Sequence, residues 1–313
     1  MPASIASAPG KVILFGEHAV VYGQPAIAVP VADVQAKAIV QPDIGAPSGQ
    51  VHIHSEATQL DGLLQDFGEN EPVAAALRLT LRKFGIDTPP AFKLRIQSSI
   101  PVAAGLGSGA AVSVAIIRAV SDFLGHPLPD EAVSALAYEV EKLHHGTPSG
   151  IDNAVVTFAK PVYFVRDQTL EAFQVGAPFT LVIGDTGVAS PTRAAVEDVR
   201  TAWRADQNRY EALFGEIGAL SNLARKKIEQ GEIESVGPLM DANQKLLHAI
   251  GVSTSELDTL IQAARQAGAS GAKLSGGGRG GNMIALAPEG SAQAISEALF
   301  EAGATNTIVT TVQ

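Results

Sequence analysis

Pro101-Val-Ala-Ala-Gly-Leu-Gly-Ser-Gly-Ala-Ala111 is the stretch that decides the fold. Before it, Phe92, Leu94 and Ile96 alternate with Lys93, Arg95 and Gln97, the period of a half-buried strand. After it, Val112, Ile116, Ala119, Val120, Phe123 and Leu124 recur at helical spacing, and Gly125 offers a stop. Between strand and helix, Gly105, Gly107 and Gly109 remove the Cβ atoms that would hold a bulky anion away from backbone N–H groups. The positive end of the helix dipole then points at that anion, so the stretch predicts a phosphate cradle. The competing reading is a tight turn that needs glycine for its angles and binds nothing. Gly105, Gly107 and Ala110 also fit the looser dinucleotide pattern Gly-x-Gly-x-x-Ala. That pattern needs a second strand ending in an acid about twenty residues on. Gly125-His-Pro-Leu-Pro-Asp-Glu131 is instead a turn into another helix, which counts against a dinucleotide enzyme.

The chain of 313 residues has room for two packed domains. Apolar residues make up 46% and charged residues 17%, the balance of a globular protein rather than a disordered one. A net charge of -10 argues against a nucleic-acid or anionic-membrane surface, so anionic substrates would need local devices: helix ends, single cations, a metal ion. Cysteine is absent, which excludes disulfides and thiolate metal sites and suits a reducing cytoplasm. The first residues lack the basic start and apolar run of a signal peptide, and no uninterrupted apolar run of membrane-spanning length occurs, so a cytoplasmic protein is expected.

Taken in order, residues 12–15 read as a short strand, preceded by Lys11 and followed by the polar turn Gly16-Glu17-His18. Residues 26–31, 36–40 and 51–55 read as strands, with His52 and His54 sharing a face but lacking a third metal ligand nearby. Residues 72–84 form a helix pattern. A helix from Pro129 carries Val133, Leu136, Ala137, Val140 and Leu143 on one face, with Glu141 at its edge. It runs into a loop broken by glycine and proline, and Asp152 stands at the end of that loop before an apolar strand at 154–158. Loosened patterning at 166–178 marks a boundary, giving domains at 1–170 and 171–313. Beyond it come a strand at 179–183, helices over 193–229 with a break near Gly215 and Gly218, a helix over 232–250, and a capping box Ser253-Thr-Ser-Glu256. Lys273-Leu-Ser-Gly-Gly-Gly-Arg-Gly-Gly281 is a second glycine-rich loop inside a β-β-α-β ending. Neither glycine loop contains the Gly-Lys-Ser/Thr of a Walker A motif.

Three stretches in this order, Pro9-Gly-Lys-Val-Ile-Leu-Phe-Gly-Glu-His-Ala-Val-Val-Tyr-Gly23, residues 101–111 and residues 273–281, resemble a family's signature motifs. The family is the superfamily of galactokinase, homoserine kinase, mevalonate kinase and phosphomevalonate kinase. The first stretch and His145-Gly-Thr-Pro-Ser-Gly-Ile-Asp-Asn153 are most similar to its mevalonate kinase branch. The resemblance implies a two-domain α+β fold, an N-terminal α/β domain with the phosphate loop and a C-terminal ferredoxin-like domain, with the active site in the cleft. It also implies transfer of the γ-phosphoryl of ATP to the primary hydroxyl of mevalonate, a step toward isoprenoid precursors.

By the same resemblance Asp152 accepts the hydroxyl proton and Lys11 keeps that aspartate charged and steadies the reacting oxygen. Glu141 binds Mg²⁺, Ala103, Ala104, Gly105, Leu106, Gly107, Ser108 and Gly109 form the ATP-phosphate loop, Ser98 touches the nucleotide, and Glu17 and His18 line the mevalonate pocket. These residue types suit phosphoryl transfer, which depends on positioning and charge stabilisation more than on covalent chemistry. Two positions depart from the pattern: Gly109 replaces the usual metal-binding serine, leaving Ser108 as the candidate hydroxyl ligand, and Arg279 replaces a common glycine, either adding charge near the phosphates or, the preferred reading, facing solvent. Partners are then mevalonate and ATP, without nucleic acid or membrane, and a homodimer stays open. The alternatives are a kinase for a related alcohol such as phosphomevalonate, or a nucleotide-binding sensor without turnover.

Overall fold

The computed structural model describes residues 2–313 except 57, 102–104, 146–148, 167, 169, 190 and 191, with the backbone alone at 144 and 145. The chain divides into two units that interleave in sequence: Met1–Gly10, Val34–Val102 and Gly107–Ala159 form one, and Lys11–Asp33, Ala103–Leu106 and Lys160–Gln313 the other. Strands β1 (Ser4–Phe15) and β2 (Ala26–Pro42) supply residues to both.

The first unit continues with β3 (Val51–Ser55), β4 (Leu60–Leu63), α1 (Pro72–Lys83), β5 (Phe92–Ser98), α2 (Ser108–Phe123), α3 (Asp130–His145) and α4 (Ile151–Phe158). Its strand order is β4-β3-β5-β2; β3 and β5 run parallel and the other pairs antiparallel, with Ala36 opposite Ser98 and Ile53 opposite Leu94. The alternation in β5 buries Phe92, Leu94 and Ile96 and exposes Lys93, Arg95 and Gln97, as its period dictates. Helix α1 starts at Pro72, where a missing N–H costs nothing, and the Glu71 carboxylate accepts from the Ala74 N–H at 2.7 Å. Helix α2 packs against α1, α3 and α4, and Val114, Ile116, Ile117 and Val120 are fully enclosed. Each of those side chains contributes about 2 kcal/mol of transfer free energy, which holds the helix start in place.

Two expectations fail here for physical reasons. Residues 154–158 are the body of α4, not a strand: a short apolar run is ambiguous by itself, and Gly150 (φ 85°) turns the chain into a helix that packs on α2 and α3. The strands expected at 26–31 and 36–40 are one strand, whose first residues pair with β6 (Val162–Phe164) and whose last pair with β5. The strand expected at 12–15 likewise begins at Ser4.

The second unit adds β7 (Glu171–Ala172), β8 (Phe179–Asp185), α5 (Thr192–Ala205), α6 (Gln207–Glu229), α7 (Val236–Ala249), α8 (Ser255–Gln266), β9 (Gly271–Ser275), β10 (Asn282–Ala287), α9 (Ala292–Glu301) and β11 (Asn306–Val312). Its antiparallel sheet has the order β11-β8-β10-β9, with α8 against β9 and β10 and α9 against β8 and β11. That connectivity is the split β-α-β unit of a ferredoxin-like domain, with α5 to α7 inserted before α8. Phe214, Ile217, Leu247, Leu274, Met283 and Leu299 lie in its core.

The helical break falls at Asp206 rather than at the glycines, because the Asp206 carboxylate caps α6 by accepting from the Arg209 N–H at 3.3 Å. Gly218 sits inside α6, where a Cβ would overlap the Gln24 amide, so it serves close packing. The cap of α8 is Thr254, whose side chain accepts from the Leu257 N–H, one residue later than the capping box suggested. Among the described residues no helix is long and apolar enough to cross a membrane.

Candidate active site

The chain passes from β5 to α2 by a loop whose described part is 99–101 and 105–107. Ser98 is half-buried at the end of β5, and its Oγ accepts from the Ile100 N–H at 3.1 Å. Gly107 adopts a left-handed conformation (φ 72°) as the cap of α2 and offers no side chain to it. The first α2 bond runs from the Ala111 N–H to the Gly107 carbonyl at 3.0 Å, so helical geometry leaves the N–H groups of Ser108, Gly109 and Ala110 without an acceptor inside the helix. Gly109 is exposed and Ser108 partly so. An uncapped helix start with small, solvent-facing residues is the form an anion site takes. Ala103 and Ala104, also expected in the cradle, lie outside the described residues.

Glu141 comes to this helix start from α3. It is 8% exposed, and a Cβ at Gly109 would stand 3.5 Å from its Oε1. The missing side chain thus leaves room beside a buried carboxylate. Carboxylate and hydroxyl oxygens are hard donors, and Mg²⁺ characteristically takes one or two of them and fills its remaining positions with phosphate oxygens and water, so Glu141 and Ser108 fit that ion. Among the described residues no cluster of three or more His, Cys, Asp or Glu is arranged to hold a metal by itself. Asp152 lies in the first turn of α4, where the helix dipole favours a carboxylate.

In the second unit the Lys11 N–H donates to the Leu106 carbonyl at 2.9 Å, and Lys11 is 6% exposed. Leu106 is buried, so it anchors the loop rather than offering its side chain to a ligand. Beyond β1, Gly16 (φ 94°) lets the turn fold against β2, where a Cβ would overlap the backbone of Pro25 and Ala26. Glu17 and His18 follow, 3% and 5% exposed. The Glu17 carboxylate is paired with the Lys273 ammonium and also accepts from Asn243 Nδ2 at 3.2 Å; Lys273 is wholly buried. Burial pulls the Lys273 ammonium below its ordinary range, and Glu17 opposes that pull. His18 Nε2 donates to the Gly277 carbonyl at 3.0 Å, with φ 59° at His18 itself. Burial also lowers the His18 pKa, against the hydrogen bond to Gly277 and together with the nearby Arg279 charge, so the imidazole is neutral near pH 7.

The first and third sequence motifs are thus coupled side chain to backbone. Ser275 Oγ accepts from the Ile13 N–H at 3.1 Å and donates to the Ile13 carbonyl at 2.9 Å, fastening β1 to β9. Lys273 and Asn243 escaped the sequence reading. A lysine inside Gly-Ala-Lys-Leu-Ser, a strand otherwise apolar or small, was the available signal, because such a charge needs a buried partner. Arg279, expected to face solvent, is ion-paired with Asp198 while 37% of its side chain stays exposed. His52 and His54 face Asp61 at 3.4 and 3.6 Å.

Residues 71–160 match the model of the GHMP kinases N terminal domain, and residues 224–305 that of the GHMP kinases C terminal domain. The chain is 37% identical over 308 residues to mevalonate kinase of Pyrococcus horikoshii, covering 91% of this chain and 88% of that one. A solved L. major mevalonate kinase in complex with R-mevalonate superposes with a TM-score of 0.85 at 31% identity, covering 100% of this chain and 96% of the other. Methanococcus jannaschii mevalonate kinase follows at 0.84 and 26%, covering 98% and 96%. With both family models matched and the ferredoxin-like sheet in place, the chain belongs to the mevalonate kinase family of the GHMP kinases.

Proposed function

We propose that this enzyme transfers the γ-phosphoryl group of ATP to the primary hydroxyl of mevalonate, giving 5-phosphomevalonate and ADP. The observation that carries the reading is the start of α2: an uncapped helix N-terminus beside a buried glutamate, in a chain that aligns over nine-tenths of its length with a mevalonate kinase. The catalytic and nucleotide groups all fall within residues 1–170. The N–H groups at 108–110 and the loop through Gly105 and Gly107 hold the terminal phosphates, with Ser98 toward the nucleotide. Glu141 and Ser108 hold Mg²⁺, which when bound offsets phosphate charge. Asp152 removes the proton as the hydroxyl oxygen attacks phosphorus. Lys11 steadies the charge of the reacting oxygen. Glu17 and His18 shape the alcohol pocket, His18 as a neutral imidazole and Glu17 held rigid by Lys273 and Asn243.

An ADP-release assay with Mg²⁺ and a panel of mevalonate, phosphomevalonate, homoserine and galactose tests this. Turnover with mevalonate at a kcat/KM at least about tenfold above every other alcohol, equivalent to 1.4 kcal/mol of discrimination, is expected. Turnover confined to another alcohol would contradict the substrate, and ATP binding without turnover of any would contradict the activity.

A further inference from the structure

Asn153 follows Asp152 in the first turn of α4 and is 6% exposed. Its Nδ2 donates to two acceptors of a single α3 residue, the Ser134 carbonyl at 3.1 Å and Ser134 Oγ at 2.9 Å. A neutral amide nitrogen carries two hydrogens, so one side chain satisfies both. Ser134 and Glu141 are seven residues apart in α3 and therefore share a helix face. Helix α4 has eight residues and begins after Gly150, which offers no side-chain cap; the Ile151 N–H donates to Ser149 Oγ at 3.4 Å, and the Asn153 amide ties the same first turn to α3. Gly150 itself leans on α3: a Cβ there would stand 3.7 Å from the Tyr138 ring.

We propose that Asn153 is a positioning residue, a two-pronged clamp that fixes the first turn of α4, and with it Asp152, to the face of α3 that carries Glu141. Proton acceptor and metal-binding carboxylate are then held by one rigid helix pair. The inference rests on the reading of Asp152 as the proton acceptor. Because a displacement of about 1 Å costs on the order of a hundredfold in rate, Asn153→Ala lowers kcat by about 10- to 100-fold. The KM for ATP stays within about threefold, since the α2 cradle is not touched. Ser134→Ala, which removes only one of the two acceptors, has a smaller effect in the same direction.

The test is a double-mutant cycle on kcat, corrected for folded fraction by circular dichroism. Asn153→Ala in an Asp152→Asn background is expected to cost no further rate, because the clamp acts through a carboxylate already removed. The acid limb of the kcat/KM pH profile is expected to move in Asn153→Ala and, by less, in Ser134→Ala. Equal rate losses in both backgrounds, or an unmoved acid limb with kcat unchanged, would overturn the clamp. Near-full rate in Asp152→Asn alone would instead remove the proton-acceptor reading, and the clamp with it. If Asn153→Ala does not fold, Ser134→Ala carries both measurements.

Discussion

In the loop that leads into α2, a Cβ on Gly105 (φ 76°) would meet no described atom within 4 Å, and one on Gly109 would meet only the Glu141 carboxylate. In the loop between β9 and β10, a Cβ on Gly280 would stand 2.6 Å from the Val188 carbonyl oxygen, and one on Gly278 would overlap that of Val252. The Arg279 and Gly281 N–H groups donate to those same two carbonyls at 2.8 Å. Both loops are glycine-rich, yet Gly105 and Gly109 leave space open, whereas Gly278 and Gly280 let protein backbone approach protein backbone. The proposed phosphate site lies on the open side of the first; in the second, Gly278 and Gly280 are closed by backbone while a Cβ on Gly276 would meet no described atom within 4 Å. Glycine content cannot separate the two cases, because the entropy cost of ordering is the same in either loop and only the far side of the Cβ differs.

The largest expected effect lies at the base of the second loop. Glu17→Gln leaves the wholly buried Lys273 without its counter-charge and should cost about 3–5 kcal/mol in chemical denaturation. Gly278→Ala should cost about 3 kcal/mol, since left-handed strain adds to collision with a fixed carbonyl. Gly105→Ala should cost only about 1 kcal/mol of stability, from strain alone, while raising the KM for ATP about tenfold. Equal stability losses at Gly105 and Gly278 would erase the distinction between the loops.

His18 sharpens the comparison through pH. Its folded pKa lies below 6.5, so below that pH the unfolded chain binds more protons than the folded one. Stability should therefore fall as pH drops from about 6.5 toward the folded pKa, by up to about 1.4 kcal/mol per pH unit, and His18→Gln should flatten that slope in thermal melts. The smallest effect belongs to Arg279→Ala: its pair with Asp198 is exposed enough that the loss should stay below about 1 kcal/mol.

Much of this was readable in advance because it is local. The alternation of Phe92, Leu94 and Ile96, the proline start of α1 and the β-β-α-β ending each depend on neighbours a few residues apart. The run at 154–158 was misread because Ala-Val-Val-Thr-Phe has no period of its own, and the left-handed Gly150 is what sets it helical. The break between α5 and α6 was misplaced for a related reason: glycine inside a helix is tolerated where a neighbour must come close, and Gln24 does so at Gly218. Glu17 was legible as a polar group beside a strand, but its partner Lys273 stands 256 residues away, and no spacing rule reaches that far.

The claim on which the rest depends is that nucleotide phosphates sit on the first turn of α2. Backbone amide hydrogen exchange with and without a non-hydrolysable ATP analogue and Mg²⁺ reads it directly. Exchange at Ser108, Gly109 and Ala110 is expected to slow on binding, while the Arg279 and Gly281 amides, already bonded to Val252 and Val188, change little. Saturating nucleotide that leaves residues 108–110 exchanging at their free rates would contradict it.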